Sequence, residues 1–352
     1  MRLKSNSKAN QLPSGSDLLK EVKVSIIIVT FNSADIIRDA LNSVLEQTFK
    51  DYEIIILDNA SKDNTLGIVT GLLDTWHGDY KIIPSSLNLG FAEGNNKAFE
   101  ITTGKYIALI NPDAVAERQW LGELVAAMDA SSEIGICASK IINIDSHMID
   151  SAGDGFAKSL QGYKRGEGLP PETFCNKEYI FGACACAALY RRTMLDEIGF
   201  FDPDFFLIHE DTDLNFRAQL AGWRVMYVPS AIVNHKVRSS IGAMSDLATY
   251  YSTRNKDLLV LKNADLTLII RCFPQIITGK VGEFIYFVIK HKKYRPYLQA
   301  KADTIKNIPN TIKKRSSIKK LKKNHDDYLS SLLVPVWKHD YLLQKMRKLL
   351  YG

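Results

Sequence analysis

Short, continuously apolar runs alternate with segments of helical periodicity, and this alternation limits the fold more than any other feature of the chain. The apolar runs are residues 24–29, 53–57, 80–83 and 106–110. The segments between them, residues 35–47, 61–73 and 92–101, space their apolar side chains as helices do. Runs without polar alternation are typical of strands buried on both faces. The repeat of roughly 25–30 residues matches a strand–helix–strand unit. The sequence therefore predicts an α/β fold, with a mainly parallel sheet and helices on both faces.

The rest of the chain divides less regularly. Residues 143–177 are rich in glycine and charge and are expected to be irregular, whereas 211–221 predict a helix and 224–228 a strand. The pattern after residue 243 is mainly helical. In a chain of 352 residues we therefore expect a disordered tail at 1–20, a catalytic domain at 21–240 and a helical, basic region at 241–352.

Charge is concentrated in the last of these regions. The net charge is +6, and between 290 and 323 basic residues greatly outnumber the single acid, Asp303. Such a segment indicates either an anionic partner, such as a membrane surface or nucleic acid, or a solvated helical face. The five cysteines have irregular spacing and match no zinc or disulfide pattern, which fits a reducing compartment. Because no run of about 18 uncharged apolar residues occurs, we expect no transmembrane helix.

Polar residues follow each predicted strand at the point where it ends. They are Thr30 and Asn32, Asp58, Asn88 and Gly90, and Asn111 and Asp113. Ligands of open α/β sheets bind at these carboxyl ends, although Asn and Asp are also common turn residues. The chain lacks the glycine-rich signatures of dinucleotide enzymes and P-loop NTPases. Asp58 is placed to accept a ring N–H of a pyrimidine base, and Asp113 to hold Mg²⁺ or Mn²⁺ against a diphosphate.

A second acidic cluster precedes the helix predicted at 211–221. Glu210 and Asp211 either cap that helix or supply a general base. Asp213 and Arg217 are four residues apart and are expected to pair on the helix. His235 follows a predicted strand and is either a structural histidine or a metal ligand.

Several of these segments together resemble a known family. They are residues 24–32, 58–65, 88–96, 199–203, 210–214 and 250–255. Their order and spacing over roughly residues 22–257 are similar to the large inverting GT-A glycosyltransferase family, and 88–96 and 250–255 look like its rhamnosyltransferase-like subgroup. The resemblance implies a GT-A-type fold and transfer of a sugar from a nucleoside diphosphate to an acceptor hydroxyl with inversion.

The resemblance also implies roles for individual residues. Thr30, Asn32 and Asp58 would hold the base and ribose, and Asn88, Gly90 and Asn96 would line the donor pocket. Asp113 would bind the divalent cation, and Asp211, rather than Glu210, would be the base. Many members have Asp-x-Asp where this chain has Asn111-Pro112-Asp113. We therefore expect weaker metal binding, assisted by His235.

The subgroup implies a dTDP- or UDP-sugar donor, with rhamnose as one candidate sugar. It also implies a lipid-linked glycan acceptor in bacterial cell-surface polysaccharide synthesis. The apolar segments 266–273 and 284–289 lie beside the basic cluster, which predicts either peripheral membrane contact at the inner face of the cell membrane or a helical lid. The sequence leaves two alternatives open: a nucleotidyltransferase acting on sugar phosphates, and a non-catalytic membrane-surface adaptor. No nucleic-acid partner is expected, because the core domain shows no basic face interleaved with aromatics.

Overall fold

The computed structural model describes residues 22–236, 245–323 and 326–351. The predicted tail at 1–20 lies outside the described residues. The strands are β1 Val24–Thr30, β2 Tyr52–Asp58, β3 Asp79–Pro84, β4 Tyr106–Ile110, β5 Ala114–Ala116, β6 Ile134–Asn143, β7 Ile149–Ala152, β8 Asp154–Ala157, β9 Gly162–Lys164, β10 Glu178–Ile180, β11 Ala187–Arg191, β12 Arg224–His235 and β13 Leu333–Val334. The helices are α1 Ile37–Leu45, α2 Thr65–Leu73, α3 Gly90–Phe99, α4 Trp120–Asp129, α5 Arg192–Ile198, α6 Glu210–Leu220, α7 Asp246–Asn263, α8 Leu266–Phe284, α9 Tyr294–Leu321, α10 Asp326–Leu332 and α11 His339–Tyr351. A short 3₁₀ turn, Pro203–Phe205, precedes α6, and a π-helical stretch, Ile285–Lys290, follows α8.

The main sheet has ten strands, eight of them in the order β10-β12-β6-β11-β4-β1-β2-β3, with β5 paired to β12 and β7 to β6. Strands β3, β2, β1 and β4 are parallel, whereas β11 is antiparallel to both of its neighbours, β4 and β6. The predicted α/β fold is confirmed. The carboxyl ends of β1, β2 and β4 lie side by side because the three strands share one direction, and this arrangement positions the site described below.

Burial on both faces explains the unbroken apolar runs. Along β1, Ile26 and Ile28 pack into one core cluster, while Ile27 packs into the cluster on the opposite face. All three side chains are at most 1% exposed. A polar residue at any of these positions would lose its hydration without gaining a partner, which costs a few kcal/mol. The strand therefore tolerates polar residues only where it ends.

Two expectations about the middle of the chain are corrected. The strand predicted at 224–228 continues to His235, with a register shift against β6 between Val228 and Ile232. Pro229 lies in that shift, and a proline at a bulge forgoes no ladder hydrogen bond, so the strand resumes beyond it. Residues 143–177, expected to be irregular, contain β7, β8 and β9. These strands are only three or four residues long, too short to show a clear alternation.

The chain after residue 245 is helical, as predicted, and packs back on the first domain. Strand β13 pairs with β8 in a second, three-stranded sheet, and α7 packs against α9. Within the described residues, the segment Leu266–Lys290 is long and apolar enough to cross a membrane by length and composition, with a mean hydropathy of 1.2. The expectation of no transmembrane helix stays a prediction.

Many basic side chains of residues 290–323 form ion pairs within the protein, which the sequence did not indicate. At least six of its lysines pair with acidic side chains, namely Lys293, Lys301, Lys306, Lys314, Lys322 and Lys323. Their partners include Asp257 of α7 and Asp202 before α6, so part of the charge fastens the helical region to the rest of the protein.

Candidate active site

The carboxylate of Asp58 is held rigidly at the end of β2. Its Oδ1 accepts hydrogen bonds from Thr30 Oγ1 (2.9 Å) and Ser61 Oγ (2.5 Å), and its Oδ2 accepts one from the backbone N–H of Ser61 (3.0 Å). Thr30 lies opposite Asp58 in the parallel ladder, so the two predicted donor residues meet because β1 and β2 are in register. The carboxylate is 1% exposed in the protein alone. Its fixed position suits it to accept a hydrogen bond from the ring of a nucleobase.

Side-chain amides hold the loops after β1 and β3. Asn32 has a positive φ of 48°, and its Oδ1 accepts from the backbone N–H of Lys62 (2.7 Å). Asn88 Oδ1 accepts from the N–H of Gly90 (2.9 Å) at the start of α3, and Asn59, next to Asp58, donates to the carbonyl of Gly90 (2.9 Å). Gly90 has a φ of 77°, and a Cβ there would lie 2.5 Å from the ring of Phe206. This position therefore requires glycine on both conformational and steric grounds.

Asn96 is engaged in holding the backbone. Its Nδ2 donates to the carbonyl of Phe201 (2.8 Å), and its Oδ1 accepts from the N–H of the same residue (3.1 Å). This pair of bonds ties α3 to the chain that leads into α6. A contact between Asn96 and the donor stays a prediction, and the structure gives the residue a positioning role.

Asp113 and His235 meet after β4 and at the end of β12, as the prediction of a shared metal site requires. His235 Nε2 lies 3.4 Å from Asp113 Oδ1, and its Nδ1 lies 3.1 Å from Asp150 Oδ2. Lys164 Nζ contacts both oxygens of Asp150, at 2.7 and 2.8 Å. Burial opposes charge on the imidazole, but the surrounding Cys186, Asp113 and Asp150 raise the pKa of His235 to about 12. The histidine is thus an imidazolium between two carboxylates.

A divalent cation fits the pair of Asp113 and His235. Two ligands at about 2.1 Å from one ion stand roughly 3 Å apart in octahedral geometry, close to the observed 3.4 Å. An ion and the Nε2 proton would compete for the same nitrogen, so binding would release a proton. Asn111 directly follows β4, and its backbone N–H donates to the carbonyl of Cys186 (2.8 Å). Its amide carries no charge, so it would not strengthen the binding of a cation as an aspartate would.

The acidic cluster at the start of α6 faces a second carboxylate that the sequence did not reveal. Ligand atoms of Asp211, Asp154 and Cys184 all lie within 4.8 Å of one another. Burial and the neighbouring Asp211 raise the pKa of Asp154 to about 8. Burial also raises the pKa of Asp211. Asp154 is consequently the carboxyl group of the pair that keeps its proton near neutral pH, beside the charge of Asp211. A cation is the other species, besides a proton, that can bind between these three side chains. The Cys184 thiol is a soft ligand that Mg²⁺ does not favour.

The environments of Asp211 and Glu210 differ in a way that separates their roles. Asp211 Oδ1 accepts from the backbone N–H of Thr212 (2.6 Å), and its Oδ2 from that of Ala185 (3.2 Å). These donors stabilise the carboxylate form. Among the described residues, Oε2 of Glu210 has no hydrogen-bond partner, and burial and Asp211 hold the pKa of Glu210 well above its usual range. Of the two, Asp211 is therefore the group able to act as a base.

The backbone that presents this cluster is strained and is clamped by one amide. Phe206, Ile208 and His209 have positive φ values of 61°, 66° and 72°, and each such residue costs on the order of 1–3 kcal/mol. Asn255 of α7 donates from Nδ2 to the carbonyls of Phe205 (2.8 Å), Leu207 (2.8 Å) and Ile208 (2.7 Å). Residues 250–255 were singled out in the sequence, but their task of clamping this loop had no sequence signal.

Behind α6, a buried charge network fixes the helix. Arg217 Nε donates to Asp213 Oδ2 (2.9 Å), as the spacing of four residues predicts. Lys262 Nζ (2.9 Å) and Asn263 Nδ2 (2.8 Å) also donate to Asp213, which is fully buried. Lys262 joins the network to Asp202 at 2.6 Å. Asp213 is thus a structural anchor, which leaves Asp211 free to face the site.

Residues 25–199 match the family model described as glycosyl transferase family 2. The chain is 31% identical over 184 residues to an uncharacterised glycosyltransferase of Nostoc sp., covering 52% of this chain and 55% of that protein. It is 22% identical over 261 residues to the poly-β-1,6-N-acetyl-D-glucosamine synthase of Staphylococcus epidermidis, covering 72% and 61%. The chain therefore spans less than two thirds of the length of either relative.

Solved glycosyltransferases share the fold. The structure of S. aureus TarS residues 1–349 in complex with UDP-GlcNAc has a TM-score of 0.54 at 18% identity, covering 82% of each chain. That of GalNAc-T7 with UDP, GalNAc and Mn²⁺ has a TM-score of 0.55 at 16% identity, covering 73% of this chain and 55% of that one. At these identities the likeness establishes a GT-A-type architecture and nothing finer.

Proposed function

Because residues 25–199 match the model described as glycosyl transferase family 2, we propose that this protein transfers a sugar from a nucleoside diphosphate sugar to an acceptor hydroxyl. The observation that carries the proposal is the position of Asp211. Its hydrogen-bonded carboxylate lies beside Asp154 and Cys184, in a site that continues through Lys164 and Asp150 to the cation pair. The cation pair and the proposed base thus belong to one continuous polar site.

The donor would bind across the carboxyl ends of β1, β2 and β4. Asp58 would accept from a pyrimidine ring, with Thr30 and Ser61 fixing its carboxylate. The loops of Asn32 and of Asn88 and Gly90 would enclose the nucleotide and the sugar. Asp113 and His235 would hold Mg²⁺ or Mn²⁺, which supplies Lewis-acid stabilisation of the departing diphosphate when bound.

Asp211 would perform the proton transfer. Its carboxylate takes the proton of the acceptor hydroxyl while that oxygen forms a bond to the anomeric carbon. The bond from the anomeric carbon to the diphosphate oxygen breaks, and its electron pair leaves with the nucleoside diphosphate. One displacement from the face opposite the leaving group inverts the configuration. Glu210, held neutral, would not compete as a base.

The finer assignment rests on the sequence resemblance. Residues 88–96 and 250–255 favour a dTDP- or UDP-linked sugar, with rhamnose the leading candidate, and a lipid-linked glycan as acceptor in surface-polysaccharide synthesis. We place the protein in the cytoplasm at the inner face of the membrane, where such an acceptor is met. Neither the nucleotidyltransferase nor the adaptor alternative accounts for a stabilised carboxylate at the start of α6.

The Asp211→Asn variant tests the proposal. It keeps the shape of the side chain and removes the base, so turnover should fall by about 10²–10⁴-fold while donor affinity is unchanged. Glu210→Gln is the matched comparison, since glutamine resembles the neutral acid, and it should retain much more activity. Equal turnover by Asp211→Asn and the wild type would refute the catalytic assignment of Asp211. A folded wild type without any turnover would favour an adaptor.

A further inference from the structure

Helix α8 presents an apolar face to solvent along its whole length. The side chains on that face recur at intervals of three or four residues and are 44–67% exposed: Leu266, Ile270, Phe273, Ile277, Val281 and Phe284. Ile285 and Ile289 of the π-helical stretch extend it, at 41% and 61% exposure. An apolar stripe at helical spacing normally faces a core, and a contiguous exposed one marks an interaction surface.

The opposite face of α8 is packed on the protein and is partly polar. Leu268 and Cys272 join a core cluster with Phe156. Further along, Gln275 Oε1 accepts from the N–H of Val336 (3.0 Å). Glu283 is 6% exposed. The polarity of the helix is therefore inverted with respect to an ordinary surface helix, because the side turned to the protein holds polar groups and the side turned outward is apolar.

Glu283 fixes the rotation of the helix. Lys256 (3.3 Å) and Lys301 (3.4 Å) contact its carboxylate from α7 and α9, and Lys280 lies 4.0 Å away on α8. Burial opposes its charge, but the three lysines lower the pKa of Glu283 to about 2. A helix that crossed a bilayer would have to carry this ionised cluster into hydrocarbon or break it, and both are costly. The helix is therefore built to stay against the domain.

Basic side chains border one end of the apolar face. Lys292 and Arg295 are exposed just beyond the π-helical stretch, and Lys290 ends that stretch. Arg271 lies beside the face nearer to its start. On α9, Leu298 (61%) and Ile305 (66%) are further exposed apolar side chains. An apolar stripe bordered by Lys and Arg is the composition of helices that lie in the interface of an anionic membrane.

We propose that the outward face of α8 lies flat in an anionic membrane leaflet, with Leu266, Ile270, Phe273, Ile277, Val281 and Phe284 inserted at the level of the acyl boundary. The exposed cations Lys292 and Arg295 at the end of this face complement an anionic lipid surface. This inference names the face that makes the membrane contact. Its test needs no glycosyl transfer, so it stands or fails separately from the proposed function.

The test is sedimentation of the full-length protein with vesicles of phosphatidylcholine alone or with added phosphatidylglycerol. The wild type should bind the anionic vesicles far more tightly, and added salt should weaken the binding. Replacing Ile270, Phe273 and Ile277 by glutamine should weaken it at least about 100-fold, since each loses burial of a large apolar side chain. The matched control changes three exposed apolar residues elsewhere to glutamine, Ile101, Ile144 and Tyr179, and should bind as the wild type does.

The basic border is tested with the double variant Lys292→Gln, Arg295→Gln, which should bind anionic vesicles about 30-fold more weakly at low salt. Circular dichroism and thermal unfolding establish that each variant is folded. Three results would overturn the proposal: a wild type that ignores both vesicle types, a folded triple variant that binds undiminished, or a lipid-free wild-type dimer that the triple variant dissociates. The last result would show that a second copy covers the face.

Discussion

Replacing Asp211 by asparagine tests whether its charge sets the proton affinity of Asp154. The two carboxyl groups have oxygens within 4.8 Å of each other, and asparagine removes the charge of one while keeping its shape. In the wild type, burial and the charge of Asp211 together raise the pKa of Asp154 to about 8. The variant removes the repulsion from Asp211 and leaves Ser151 and Lys164 in place beside Asp154.

The size of the effect follows from the separation. Two unit charges about 4.8 Å apart repel by roughly 3.5 kcal/mol at an effective dielectric constant of about 20, or about 2.5 pKa units. Lys164 lies close enough to lower the pKa of both carboxyl groups and offsets part of the repulsion. We therefore expect the pKa of Asp154 to fall from about 8 by about 1–2 units in the Asp211→Asn variant.

The assay is a ¹³C NMR titration of the aspartate carboxyl carbons, which reports the pKa of Asp154 directly. A lower proton affinity moves the midpoint of its titration to lower pH by the same 1–2 units. Asp145→Asn, at an exposed loop carboxylate, is the control and should leave the midpoint unchanged. An unmoved midpoint in Asp211→Asn, or one displaced to higher pH, would refute the coupling of the two groups.

Two further predictions concern the scaffold of the site. Asn255→Leu removes the amide that clamps three carbonyls, so unfolding free energy should fall by about 2–3 kcal/mol and kcat should drop with donor affinity retained. Asn307→Leu is the control, because the amide of Asn307 donates to a backbone carbonyl of its own helix. An equal loss of kcat in both variants would contradict the clamping role of Asn255. Asp213→Asn should destabilise the fold by about 3 kcal/mol at neutral pH, since it removes the carboxylate that buried Arg217 and Lys262 share and leaves Lys262 with Asp202 alone. Burial opposes the charge of Asp213, but Lys262 and Arg217 lower the pKa of this carboxyl group. The stabilisation that its carboxylate provides is therefore present above the unfolded pKa of about 3.9 and is lost as the pH falls below that value. Denaturant unfolding from pH 7 down to pH 3 should therefore show wild type and variant converging, and a constant gap would contradict this.

The sequence predicted the parts of the site that lie at strand ends. The unbroken apolar runs determine a parallel sheet, and a parallel sheet brings the ends of β1, β2 and β4 together, so Thr30 and Asp58 had to meet. The approach of Asp113 and His235 depended on β12 continuing past its bulge, which no local pattern indicated. His235 was singled out only because it follows a predicted strand.

Other parts had no local signal. Asp150, Asp154 and Lys164 come from strands of three or four residues whose position depends on pairing with β6 and with β13, far along the chain. Asn255 clamps a loop that lies nearly fifty residues earlier, and a helical pattern does not reveal which loop an amide faces. Such contacts arise from tertiary packing and are invisible to periodicity or spacing.

The central claim is that the carboxyl edge of the sheet binds a nucleoside diphosphate with a cation at Asp113 and His235. Isothermal calorimetry with thymidine, uridine and guanosine diphosphates, each with and without Mg²⁺ or Mn²⁺, tests it most directly. The account predicts that a pyrimidine diphosphate binds, that the metal tightens binding, and that Asp113→Ala abolishes the tightening while keeping the metal-free affinity. Failure of every diphosphate to bind the folded wild type, with or without metal, would contradict it.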